Sequence, residues 1–82
     1  MNLKDIGNRI KYIRINKTNY SQEDFAKILG MDKTYYCRIE NGKQNLTILN
    51  LIKICSCLHI ELSDFFDLQN YQIIEEKINE ND

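Results

Sequence analysis

A chain of 82 residues, 43% hydrophobic and 28% charged, is the size of one domain around one modest core, with no room for an active-site cleft between domains. No apolar run approaches the roughly 18 residues of a membrane span, and Lys4, Asp5 and Arg9 interrupt the start where a secretory leader would be apolar. A cytoplasmic protein with no membrane partner is expected.

The net charge of −1 argues at first sight against a nucleic-acid partner, but the charge is unevenly placed. Residues 1–45 hold nine Lys and Arg against five Asp and Glu, whereas residues 46–82 hold two against seven. That polarity suits a domain with one face toward phosphates, although a charge run is more often a solvated face.

From Leu3, apolar residues fall at Leu3, Ile6, Ile10 and Ile13 with Lys4, Arg9, Lys11 and Arg14 around them, which predicts a first amphipathic helix. The polar string "INKTNY" breaks the period. Ser21 then stands three residues before Asp24, a capping box with aspartate in place of glutamate, and opens a second helix that buries Phe25, Ala26 and Leu29. Gly30 supplies the left-handed residue that ends it. Only Met31 separates Gly30 from Asp32, a good N-cap, and the chain turns helical again as far as the Asn41-Gly42 stop. Two helices joined this tightly cross steeply, and the first holds the second out from the body of the domain.

Thr47 is expected to cap a fourth helix carrying Ile48, Leu51, Ile52, Cys55 and Leu58 at spacings of three and four. Ser63 is expected to start a fifth element with Phe65 and Phe66. No alternating β-branched run or hairpin turn is present, so the expectation is an all-α fold of five helices. One domain would span residues 1–68, and residues 69–82 would form an acidic extension, helical through Tyr71, Ile74 and Ile78.

Cys37, Cys55 and Cys57 form no C-x-x-C pair and His59 is the single histidine, so no metal site of usual spacing is expected. Cys55 and Cys57 read as small residues of one helix. His59 reads as a helix-end side chain. With no nucleophile-base pairing and no paired carboxylates, an enzyme is not expected, nor is a cofactor.

The segment "SQEDFAKILGMDKTYYCRIENGK", residues 21–43, resembles the helix-turn-helix of the lambda-repressor and Cro-like DNA-binding proteins. In that family helix two begins Ser/Thr-Gln-Glu, an alanine sits mid-helix, a glycine makes the turn and Glu-Asn-Gly closes the recognition helix. The similarity extends over residues 4–67. Within the family, "DKTYYCRIENGKQNLTILNLIKIC" and "LSDFF" look most like the small controller proteins of restriction-modification systems. The resemblance implies a lambda-repressor-like fold and a sequence-specific transcriptional regulator. It also pairs Arg14 with Glu40 as a structural ion pair, and assigns Gln22 to a DNA phosphate. One departure is visible: the stretch from Arg14 to Gln22 is a residue longer than the family's usual spacing, and its turn lacks the common glycine.

A helix in the major groove presents its N-terminal residues to base edges. Base contacts are therefore expected from Lys33, Thr34 and Arg38, with Tyr36 and Ile39 turned to the core. Phosphate contacts are expected from Gln22, Tyr35, Asn41, Lys43, Gln44 and Asn45, which start helix two or lie along the third helix and the loop after it; Gln44 has a base as its alternative target. One such domain makes too few base contacts for specificity in a genome, so a homodimer on a two-fold operator is expected. Its interface would be Ile60, Phe66, Leu68, Tyr71 and Ile74, with Phe65 in the core. RNA polymerase is the further partner that a regulator would block or recruit. The rival readings are an antitoxin or phage-type repressor, and a protein-interaction module that uses the fold without DNA.

Overall fold

The structure is a computed structural model that describes residues 1–67. Five helices follow in order: α1 Leu3–Lys17, α2 Gln22–Leu29, α3 Lys33–Glu40, α4 Ile48–Cys57 and α5 Leu62–Phe65, with no strand among the described residues. The extension expected after residue 68 lies outside them, as do Leu68, Tyr71 and Ile74.

Each of the first four helices begins with a side chain that satisfies an otherwise orphaned backbone donor. Asn2 and Asp5 form a reciprocal capping box at α1 that the sequence reading missed. Ser21 accepts from the Asp24 amide, Asp32 from the amides of Thr34 and Tyr35, and Thr47 from that of Asn50. The fifth element departs from expectation: Glu61 occupies its N-cap without a side-chain bond, and Ser63 lies inside the helix.

The ends of α2, α3 and α4 share one device. In each, the last turn closes with a six-residue backbone bond, Met31 to Ala26, Lys43 to Arg38 and Ile60 to Cys55, around a residue of positive φ. Those residues are Gly30 (φ 69°), Gly42 (φ 71°) and His59 (φ 59°). His59 is thus a helix-end residue, as its position suggested, and carries a backbone strain that glycine would not.

The core draws Ile10 and Ile13 from α1, Phe25, Ala26 and Leu29 from α2, and Tyr36 and Ile39 from α3. Leu51, Ile54, Cys55 and Leu58 of the α4 region and Phe65 of α5 complete it. Two expectations need correcting. Ile48 and Ile52, placed on the buried stripe of α4, are exposed, and Ile54 takes the interior position. Arg9 belongs inside: its Nη2 donates to the Asp64 carbonyl at 2.6 Å and its guanidinium sits 5.3 Å from the Phe65 ring centroid. A cation over an aromatic face with its alkyl stem buried is a stable arrangement, and here it ties α1 to α5.

Candidate nucleic-acid interface

Three residues bridge α2 and α3, and Gly30 makes the corner between them. The apolar side of α3 is fixed by Tyr36, whose ring meets Phe25 edge-on at 5.5 Å, and by Ile39. This packing leaves Lys33, Thr34 and Arg38 exposed. The three expected base-contacting residues thus sit together on the outer side of a helix whose inner side is locked.

Beneath them lies a polar cluster centred on Glu40, which is fully buried yet charged. Its Oε2 accepts from Arg14 Nε at 2.7 Å and from the Tyr36 hydroxyl, and its Oε1 accepts from Arg14 Nη2 at 3.1 Å and Gln22 Nε2 at 2.8 Å. A buried carboxylate is tolerable only when paired and hydrogen-bonded this fully. The hydrogen bond and charge of Glu40 hold Arg14 protonated, above its ordinary range. Burial first, and the Glu40 charge second, push the Tyr36 hydroxyl far up. Arg14 also closes the longer, glycine-free turn after α1, since its Nη1 donates to the Tyr20 carbonyl at 2.8 Å. The extra residue therefore leaves the Arg14–Glu40 pair in place.

The remaining expected contacts are placed less uniformly. Gln22 is half-buried and points inward: one amide proton goes to Glu40, while Oε1 accepts from Cys37 Sγ at 3.1 Å. An amide nitrogen carries two protons, so one is left after the bond to Glu40. Tyr35 is half-buried, and its hydroxyl accepts from Asn50 Nδ2 at 3.2 Å. Lys33 stands 3.8 Å from Glu23, both well exposed, an arrangement that solvent and salt weaken. Asn41, Lys43 and Asn45 are exposed along the end of α3 and the following loop, and Gln44 is half-buried there. Arg38 reaches that loop: Nε donates to Gln44 Oε1 at 3.2 Å and Nη2 to the Lys43 carbonyl at 3.1 Å.

Of the expected dimer residues, Ile60 is half-buried against the core, and Phe66 is 41% exposed with its ring edge-on to Phe65. Sequence reasoning missed Leu49 and Ile52, which are 74% and 45% exposed on α4. The signal was available. The run "ILNLIKICSCL" is apolar around most of the helix, and one core cannot cover every side of it. Ile52, Cys55, His59, Ile60 and Leu62 line a groove between α4 and α5. Among the described residues, no group of three or more His, Cys, Asp or Glu is arranged to hold a metal ion, and no helix is long and apolar enough to cross a membrane.

Residues 10–65 match the helix-turn-helix family. The chain belongs to that family. Its relatives include the control protein C.MunI from Mycoplasma sp, 50% identical over 60 residues that make up 73% of this chain and 81% of that protein. The control protein C.BamHI from Bacillus amyloliquefaciens is 32% identical over 71 residues, 87% of this chain and 88% of its own. The crystal structure of the restriction-modification controller protein C.AhdI from Aeromonas hydrophila superposes with a TM-score of 0.71 at 33% identity, covering 78% of this chain and 96% of that one. The helix-turn-helix chain is a DNA-binding transcriptional regulator, with the lambda-repressor-like fold that its sequence suggested.

Proposed function

We propose that this regulator is the controller of a restriction-modification system, acting in the cytoplasm as a homodimer on a two-fold operator. The observation that carries the reading is the two-sided character of α3, which offers Lys33, Thr34 and Arg38 outward while Tyr36 and Ile39 anchor it. Arginine or lysine donates to guanine O6 and N7, and threonine reaches a polar edge or a thymine methyl. Lys43, Asn45 and Asn41 run beside the phosphates and fix register, and Gln22 offers its remaining amide proton to another phosphate. Occupying the operator then blocks or recruits polymerase. The control proteins to which the chain is similar support the restriction-modification setting.

The test starts from duplexes selected out of a random pool by the wild-type protein, with binding measured over a range of salt. Arg38→Ala should cost about 1–3 kcal/mol on the selected duplex and relax preference at one base pair per half-site. Lys43→Ala should weaken all duplexes alike and lower the salt slope by about one. Full discrimination by a folded Arg38→Ala protein would remove α3 from its role as reader.

A further inference from the structure

Arg38 and Lys43 exchange two hydrogen bonds. The Lys43 amide donates to the Arg38 carbonyl at 2.9 Å, and Arg38 Nη2 donates back to the Lys43 carbonyl at 3.1 Å. Gln44 Oε1 takes the Nε proton of the same guanidinium at 3.2 Å. These bonds engage one edge of the planar fork, the edge formed by Nε and Nη2. The opposite edge, between Nη1 and Nη2, is not used by them, and its two parallel donors can match the two acceptors of guanine in the major groove.

From this geometry we infer that Gln44 is a positioning residue for Arg38, setting the specificity of the helix through that side chain and not by a phosphate contact of its own. An exposed arginine loses much rotamer freedom when it engages a base. A side chain already tied to the loop loses less, and presents one edge in one direction. The loop is in turn fixed, because Gly42 turns it back and the Lys43 amide closes the last turn of α3. Gln44 is half-buried while Arg38 is exposed, so the more constrained partner holds the freer one. The inference rests on the reading of α3 as the base-contacting helix.

Two measurements separate it from that reading. In the free, isotope-labelled protein, the Arg38 Nε proton should exchange slowly with water in the wild type and in Gln44→Glu, which keeps an acceptor oxygen, and rapidly in Gln44→Ala. Exchange unchanged by Gln44→Ala overturns the tether whether or not the protein binds DNA. On DNA, the readout is the ratio of affinities for selected and scrambled duplexes. Gln44→Ala should lower this ratio about tenfold, less than the full discrimination of a bidentate contact. Gln44→Glu should restore the ratio even though its added charge weakens binding to both duplexes. In an Arg38→Ala background, Gln44→Ala should change the ratio no further. A loss that persists in that background, or falls equally on both duplexes, assigns Gln44 a direct contact and overturns the inference. A wild type that selects no sequence overturns the base-reading helix, and the specificity role with it.

Discussion

Gly7 faces the backbone of Glu40, and a Cβ added at Gly7 would stand 2.5 Å from the Glu40 carbonyl oxygen. The glycine thus sets how closely α1 approaches the end of α3. Its conformational freedom is irrelevant, since it lies inside a helix where alanine is intrinsically better by about 1 kcal/mol. The approach wins over the propensity because the opposing atoms are backbone and cannot rotate aside. Gly7→Ala should therefore destabilise the fold, by about 1–3 kcal/mol as for other overpacked sites. A melting temperature equal to or above that of the wild type would show that α1 can shift without cost.

Gly30 and Gly42 both hold positive φ, yet their surroundings differ. A Cβ at Gly30 would find only the end of the Lys53 side chain, 3.8 Å away, whereas at Gly42 it would meet the Lys4 backbone at 2.5 Å. Gly30→Ala should cost about 1 kcal/mol, the left-handed strain alone. Gly42→Ala should cost more, because α1 must also move. Chemical denaturation of the two variants gives the comparison directly, and equal losses would mean that α1 yields at Lys4.

The four N-caps that bond their helices illustrate how much was legible in the sequence. Ser21, Asp32 and Thr47 were readable because cap chemistry is local, and Gly30 and Gly42 because a glycine after an apolar period has one common use. Gly7 was not readable, since its reason lies on another helix 33 residues along the chain. Arg9 was misplaced for the same cause: helical spacing put it on a polar side, and only the position of Phe65 makes burial favourable. The outer residues of α3 followed from the period of that helix. The inward turn of Gln22 and the tether of Arg38 did not, because both depend on partners 18 and 6 residues away.

The polar cluster around Glu40 predicts a pH dependence. Tyr36 keeps its proton in the folded state far above the unfolded value of about 10, through burial and then the Glu40 charge. Because the folded pKa is raised, this contribution is fully present below pH 10 and is lost as pH rises above it, where the unfolded chain releases the proton and the folded one does not. The wild type should lose about 1.4 kcal/mol per pH unit above that point from this group. Tyr36→Phe should be less stable at neutral pH, having removed a donor from a buried carboxylate at a cost of about 1–3 kcal/mol, and should show a shallower alkaline decline. Parallel slopes for the two proteins between pH 9 and 11 would mean that Tyr36 does not titrate differently on folding.

The exposed apolar residues of α4 lead to a prediction about assembly. Leu49, Ile52 and Phe66 are large apolar residues left exposed outside the core formed by the described residues, and clusters of that kind mark interaction surfaces. Ile52 lines the groove beside Ile60 and Leu62, which joins part of the expected two-fold interface to the side of α4 that sequence reading had assigned to the interior. Ile52→Asp and Phe66→Asp should each weaken self-association, and together give monomers in sedimentation equilibrium. Neither residue touches the Glu40 cluster or α3's outer face in the bonds described above, so the monomers should stay folded by circular dichroism. Operator affinity should fall much more than affinity for a single half-site, because a dimer gains from both half-sites while a monomer meets one at a time. A double variant that sediments as a dimer would place the interface elsewhere on the chain.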